Sequence, residues 1–480
     1  MRAVSPLPLL SFTSLLQNHR SSSPFIAAPE RALRCLSGQR TRQKSLAAMN
    51  GHTWRDSLDK LVSIPQAEAP QAVVYSAGGG GHFFKWLFST PGASAVFLEG
   101  AMPYARHSTE RLLQRGRQTV PSNFVDAEMA RALSRSALQC AMEIKIRESG
   151  IQALSDRLVG IGSTCALAST QPKRGEHRVY VCATSLRGGR HSTREYAAIL
   201  EKGRRSREEE DELVSRVLLN ALLDQADVDR VPTGLDATGA SPGNEELSES
   251  SDEAQDPIQD LLDGKVTHVV LCGGSGLVVP SPPLSDCDIL MLPGSFNPLH
   301  EGHIGMAEAA ANLRGTSMSR VVFELSCVNA DKPTISLDEI HRRAAQFRER
   351  GLHLLLSSAP LFTQKAALVR GVTFIVGMDT FVRIINPKYY GGTDAGVAKA
   401  LTEMRSHRAH FLVAGRTEGG AFLRLGDVTH DEGKFDGVKG MSDDELSDLF
   451  QELPDFRVDI SSTELRARIK DQKRRGLTTD

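Results

Sequence analysis

The chain has 480 residues, 57 Lys+Arg against 58 Asp+Glu, 40% hydrophobic and 24% charged residues, a composition that excludes collagen-like and wholly disordered chains and allows roughly three domains. A formal charge of −1 argues against a dedicated nucleic-acid coat, and the absence of an apolar run of about 18 residues excludes a transmembrane helix. Seven cysteines at 35, 140, 165, 182, 272, 287 and 327 form no CxxC pair and are odd in number, which is neither a zinc nor a disulfide framework and suits a reducing compartment.

Residues 1–48 carry seven Lys/Arg (Arg2, Arg20, Arg31, Arg34, Arg40, Arg42, Lys44), one acid (Glu30) and eight serines. An Arg- and Ser-rich, acid-poor start is the composition of a mitochondrial or chloroplast transit peptide. The alternative is a disordered extension with translation starting at Met49, which would leave the protein in the cytoplasm.

From Trp54 the chain alternates strand and helix patterns through residue 225. Val73–Tyr75, Ala95–Leu98 and Val179–Ala183 are apolar strand candidates. Met129, Leu133, Ala137, Ala141 and Ile144 share one helical face that Gly150 can close, and Ser206–Leu223 is a second helix. Such alternation predicts an α/β layer. Residues 226–265 then read as an acidic flexible linker, because Ser241–Asp263 holds eight acids and no Lys or Arg.

Residues 266–475 read as a second α/β domain. His268–Cys272 and Leu277–Pro280 flank a glycine turn as a hairpin. Strands follow near Ile289–Leu292, Val321–Leu325, Phe374–Gly377, Phe411–Ala414 and Phe456–Ile460, with helices between and Ser462–Gln472 last. Strand–helix alternation of this length predicts a Rossmann-like parallel sheet.

The chemistry concentrates there. Gly294-Ser295-Phe296-Asn297-Pro298-Leu299-His300-Glu301-Gly302-His303 joins a strand to an Ala-rich helix. Strand, glycine turn and helix N-terminus together offer backbone N–H groups and a positive dipole end to an anion. His300 and His303 lie three apart at that entry; the bland alternatives are two surface histidines or an i, i+3 metal pair, the latter lacking a third ligand nearby. Ile460-Ser461-Ser462-Thr463-Glu464-Leu465-Arg466 is a second strand-to-helix turn with an N-cap serine. Alone it is a common cap. Paired with the first, it gives one nucleotide two phosphate contacts, and Arg466 adds a forked cation.

GSFNPLHEGH with ISSTELR resembles the HxGH…ISSTxxR pair of the nucleotidylyltransferase superfamily, and within it the nicotinamide mononucleotide adenylyltransferases. The resemblance implies a Rossmann-like fold that joins ATP to a phosphomonoester, most often nicotinamide or nicotinate mononucleotide, with Mg²⁺ carried by phosphates and no protein metal cage. It implies that His300 and His303 stabilise the α-phosphoryl group, and that Ser461, Ser462, Thr463 and Arg466 hold the outer phosphates. Gly294, Ser295 and Phe296 would lie along the nucleotide, with Gly377 and Asp379 beside the ribose. Lys332, Arg342 and Arg343 resemble the acceptor-side loop; a solvated basic helix is the alternative. The family's stacking tryptophan has no counterpart here, since Trp54 and Trp86 precede the linker, and Phe296, Phe323, Phe381 or Tyr389 is the expected substitute. Two other readings stand beside this one: transfer of a cytidylyl or adenylyl group to another phosphomonoester, and a nucleotide-sensing regulator without turnover.

Tyr75-Ser76-Ala77-Gly78-Gly79-Gly80-Gly81 with Pro91-Gly92-Ala93-Ser94-Ala95-Val96-Phe97-Leu98-Glu99-Gly100 resembles the competence-damage protein C-terminal domain, the nicotinamide-nucleotide amidase group. Ser76 falls at its nucleophile position. Tyr75 replaces the family's acid, and Gly160-Ile161-Gly162-Ser163-Thr164 alters its second loop, so a domain that binds nucleotide or self-associates into a homo-oligomer is the stronger expectation. ATP and a phosphomonoester are the expected partners, with neither nucleic acid nor membrane.

Overall fold

β-branched and small apolar residues build the first strand, Gln71–Ala77 (β1), every residue of which is buried except the last. The computed structural model describes residues 53–171, 174–187, 190–235, 245–253, 256–328, 335–418, 421–423, 425, 441–454 and 456. The basic segment 1–48, Lys332, and Ser461, Ser462, Thr463 and Arg466 with the strand and helix expected around them lie outside the described residues.

Trp54–Val62 (α1) precedes β1, and Gly81–Phe88 (α2) follows it. Next come Phe97–Ala101 (β2), Arg106–Arg115 (α3), Ala127–Ser149 (α4), Leu158–Ala166 (β3), His177–Arg187 (β4), Arg190–Leu200 (β5) and Arg207–Leu223 (α5). With Ser248–Glu253 (β6) the strands form one sheet in the order β2-β1-β3-β4-β5-β6. β1 is parallel to β2 and β3; the rest is antiparallel. Helix α4 crosses one face, where a Cβ on Gly160 or Gly162 would stand 2.1 or 2.3 Å from α4 backbone atoms. These glycines, expected in a loop, stand within β3 and serve close helix packing. Helix α5 covers the other face through Leu213, Val214, Val217 and Leu218.

The acidic stretch departs from the expected tether. Ser248–Glu253 pairs with β5, and Pro257–Leu262 (α6) is a helix capped by Asp256, with Ile258 and Leu261 in the core. The composition rule failed because the cations that neutralise these acids come from elsewhere in the chain. Buried Glu245 takes Arg204 and Arg205 at 2.6 and 2.7 Å, and Glu249 takes Arg230 at 2.5 Å.

The second sheet contains His268–Leu271 (β7), Val278–Pro280 (β8), Leu290–Pro293 (β9), Val321–Ser326 (β10), Leu354–Ser357 (β11), Thr373–Gly377 (β12), His410–Ala414 (β13) and Phe450–Leu453 (β16); the short hairpin Arg416–Glu418 (β14) and Ala421–Leu423 (β15) stands apart. Its order is β16-β13-β12-β9-β10-β11-β7-β8. The strands from β16 to β11 are all parallel, with the expected hairpin β7–β8 added antiparallel at the edge. Counting β9 as first, the parallel part runs 3-2-1-4-5-6, the doubly wound Rossmann order. Helices Glu301–Leu313 (α7), Leu337–Glu349 (α8), Phe362–Leu368 (α9), Met378–Ile384 (α10), Asp394–Ser406 (α11) and Asp443–Leu449 (α12) complete this part. Among the described residues no helix is long and apolar enough to cross a membrane.

The two sheets share core. One apolar cluster joins Leu138, Met142 and Ile146 of α4 to Leu284, Cys287 and Ile289 ahead of β9. Arg320 donates to the carbonyls of Ile146 (2.8 Å), Arg147 (2.5 Å) and Cys287 (2.9 Å), capping α4 from just before β10. These contacts lie at the amino ends of the parallel strands.

Candidate active site

In an open parallel sheet a ligand crevice forms beyond the carboxyl ends of the strands, where the strand order reverses. Here the reversal lies between β9 and β12. They pair through Thr373–Leu290 and Phe374–Met291 and part before their carboxyl ends. The first motif leaves β9 at this point and Gly377-Met378-Asp379 leaves β12. A Cβ on Gly377 would meet no described atom within 4 Å, and Asp379 is exposed in the first turn of α10. The fold thus brings together Gly294, Ser295, His300 and His303 on one side and Gly377 and Asp379 on the other.

The turn itself is held firmly. The Gly294 N–H donates to the Glu324 carbonyl at 2.9 Å, and a Cβ on Gly294 would stand 2.7 Å from the Phe296 ring. Phe296 has φ +44° and is fully buried, edge-on to His303, Phe323 and Phe347 at 5.1–5.7 Å. Its ring is an anchor beneath the turn and no platform for an acceptor ring, while Ser295 is exposed at the tip. Burial likewise removes Phe323 (0% exposed) and Phe381 (2%) as platforms for an acceptor ring, leaving half-buried Tyr389.

His300 is the N-cap residue of α7, and its ring stacks on that of His303 with centroids 3.7 Å apart. The His300 N–H donates to His303 Nδ1 at 3.3 Å. Burial, with His300 adding to it, pushes His303 down to about 3, and burial also lowers His300. Both rings are therefore neutral at pH 7 and present N–H donors rather than cations.

Arg342 and Arg343 are already engaged. Both pair with Glu339 at 2.7 Å, and Arg342 first, then burial and Arg343, set that carboxyl's balance, which ends at about 2. Arg343 also donates to the Ser295 carbonyl and Arg342 to Asn297 Oδ1, each at 2.9 Å. In this structure the pair expected on the acceptor side is bound into the first motif's own turn.

The glycine turn after β1 is built differently. Ser76 is fully buried, and its hydroxyl donates to the Gly79 carbonyl at 2.7 Å. Gly78 and Gly80 adopt φ near +90°, which non-glycine residues rarely reach. At the start of α2 the N–H groups of Gly80 and His82 donate to the Asp211 carboxylate at 2.9 and 3.3 Å, and His82 Nδ1 lies 2.9 Å from it. Burial raises the Asp211 carboxyl, but His82 and the N–H groups of Gly81, His82 and Gly80 outweigh it, holding the group below its usual range. The side chain of α5 thus fills the place an external anion would take. Sequence reasoning missed this contact, for which the only signal was His82 directly after four glycines.

Residues 291–468 match the family model described as cytidylyltransferase-like. No curated protein matches. Among solved structures, the chain is similar to a competence-damaged protein (CinA) superfamily protein from Enterobacter cloacae, at 16% identity over 37% of this chain and 95% of that one, TM-score 0.26. A competence/damage inducible protein from Agrobacterium tumefaciens matches at 16% identity over 36% and 94%, TM-score 0.26. An Escherichia coli CinA superfamily protein matches at 12% over 37% and 90%, TM-score 0.25.

Proposed function

We propose that the C-terminal sheet transfers an adenylyl group from ATP to a phosphomonoester, with nicotinamide or nicotinate mononucleotide the favoured acceptor. The observation that carries this is the meeting of the His300/His303 turn after β9 and the Gly377–Asp379 turn after β12 at the strand-order reversal, in a segment that matches a cytidylyltransferase-like family model. A phosphate oxygen of the acceptor attacks the α-phosphorus in line; the bond to the bridging oxygen breaks, and pyrophosphate leaves with the electron pair. No protein nucleophile is needed, and catalysis rests on positioning and charge stabilisation. Neutral His300 and His303 are suited to this as N–H donors that follow charge onto the departing phosphates. Ser461, Ser462, Thr463 and Arg466 are proposed to hold the outer phosphates.

Among the described residues no three His, Cys, Asp or Glu gather as a metal site. An ion such as Mg²⁺ would arrive on the phosphates, neutralise them and keep most of its water. For the N-terminal sheet we propose a role without amidase catalysis, because Ser76 is tied into its own turn and Asp211 seals the anion seat.

The test is to incubate the full chain with ATP or CTP and a panel of phosphomonoesters and follow pyrophosphate. Release only with ATP and a pyridine mononucleotide is the expected result. Release with CTP replaces the donor, and none with any pair removes the enzyme reading.

A further inference from the structure

The turn that carries the histidines is held from the side by one face of α8. Glu339, Arg342, Arg343 and Gln346 are spaced i, i+3, i+4 and i+7 on α8, which puts them on one face. That face lies along residues 295–299. Gln346 spans the turn: the Leu299 N–H donates to its Oε1 at 2.8 Å, and its Nε2 donates to the Phe296 carbonyl at 3.3 Å. Arg343 reaches the Ser295 carbonyl beside it, with Glu339 fixing its guanidinium.

Resting on the transferase reading, we infer that Gln346 is a positioning residue for the reaction: its amide fixes the backbone on both sides of Asn297-Pro298, and through Leu299 it sets where His300 and His303 stand. Leu299 is the residue immediately before His300, so movement of its peptide passes directly into the N-cap of α7. From below, the Phe296 ring holds the turn by packing, which resists lifting but not sliding along the helix. The amide of Gln346 adds a directional restraint on the main chain beside those of Arg342 and Arg343, because it accepts from one peptide and donates to another three residues away. A glutamate there would keep the acceptor for Leu299 but turn an oxygen toward the Phe296 carbonyl. A leucine of similar volume would lose both contacts while keeping the packing.

Positioning and mere stability separate in kinetics. A misplaced catalytic group loses kcat even when substrate still binds, and an ångström of displacement can cost about a hundredfold. The experiment compares the full chain with Gln346→Leu and Gln346→Glu by hydrogen exchange over residues 294–300 and by pyrophosphate release. Gln346→Leu should speed exchange at Leu299 by at least about tenfold through local opening. It should lower kcat by about ten- to a hundredfold with KM for ATP nearly unchanged. Gln346→Glu should recover part of both. Unchanged exchange at Leu299 in Gln346→Leu overturns the clamp. Faster exchange with undiminished kcat overturns the positioning role. A wild-type chain that releases no pyrophosphate removes the transferase reading itself, and the exchange comparison then decides the clamp alone.

Discussion

Two glycine turns in this molecule start from the same backbone device and end in opposite states. After β1, Gly78–Gly81 lead into α2, and the exposed N–H groups are capped by Asp211 from within the chain. After β9, Gly294–His303 lead into α7, where two stacked neutral histidines stand at the helix entry beside the parting of β9 and β12. A helix N-terminus is a ready anion seat. Whether it is used depends on whether a side chain of the same protein has already taken it. Gly-rich turns in sequence therefore say where an anion could sit, and only the rest of the fold says whether one does.

The largest effect expected from breaking this comparison is on turnover. His303→Ala should lower kcat by roughly 10²–10³, the loss typical of one preorganised donor, with much less effect on ATP affinity. Asp211→Ala should leave the same rate unchanged. A His303→Ala protein with near-normal pyrophosphate release, or an Asp211→Ala protein that loses it, would reverse the roles assigned to the two turns.

The histidines are also placed differently in the two sheets. In the N-terminal sheet His82 and His177 each face a carboxylate, Asp211 and Glu210. In the C-terminal sheet His268 and His353 are each pushed down to about 4, by burial above all, and His303 to about 3. The Gly273 N–H donates to His353 Nδ1 at 3.0 Å, a contact that protonation destroys. Their folded pKa values lie below the unfolded value of 6.5, so the unfolded chain binds more protons between pH 6.5 and about 4. Stability is therefore full above pH 6.5 and falls as pH drops through that window, by about 3 kcal/mol for each fully buried ring. Thermal melts across pH 4–7 should show the loss, and His353→Gln should flatten part of it. A Tm independent of pH in that range would contradict the neutral state of these rings.

A smaller effect is expected at the sealed turn. Removing the Asp211 carboxylate leaves the Gly80 and His82 N–H groups without their acceptor, at about 1–3 kcal/mol. It also opens a seat for an outside anion, so inorganic phosphate should raise the Tm of Asp211→Ala more than that of the wild type. Equal shifts in both would mean that the turn is no anion seat at all. Neither protein should release ammonia from nicotinamide mononucleotide; release that vanishes in Ser76→Ala would restore the amidase.

Much of this was legible in the sequence, for identifiable reasons. Local signals carried the α4 face from Met129 to Ile144, the helix α5, the β7–β8 hairpin and the β9 turn, because each depends on residues close in the chain. What failed were features decided by distant partners. Glu245 looked unpaired until Arg204 and Arg205 were brought to it, and Asp211 lies 129 residues from His82. The bonds of Arg343 to Ser295 and of Arg342 to Asn297, some 48 and 45 residues earlier, were hidden for the same reason. Phe296 looked available because burial is not written in a loop motif.

The smallest expected effect tests whether the two sheets communicate. Arg320 joins them by donating to the last carbonyls of α4 and to Cys287. A cation at a helix C-terminus meets the negative end of the dipole. Hydrogen bonds from charged groups contribute about 1.5–3 kcal/mol when well buried. Arg320 is half-exposed, so Arg320→Ala should cost about 1–2 kcal/mol after solvent screening. Lysine keeps the charge but not the fork that reaches three oxygens, and should recover only part. The link sits at the amino end of β10, whereas the crevice lies beyond the carboxyl ends of β9 and β12. Turnover at temperatures where the variant stays folded should therefore match the wild type. A fragment beginning at Val266 tests the same interface more harshly: it would bare Leu284, Cys287 and Ile289, which α4 covers, and should lose cooperative unfolding. An Arg320→Ala protein with wild-type Tm and reduced kcat would show instead that the N-terminal sheet acts on the active site through this contact.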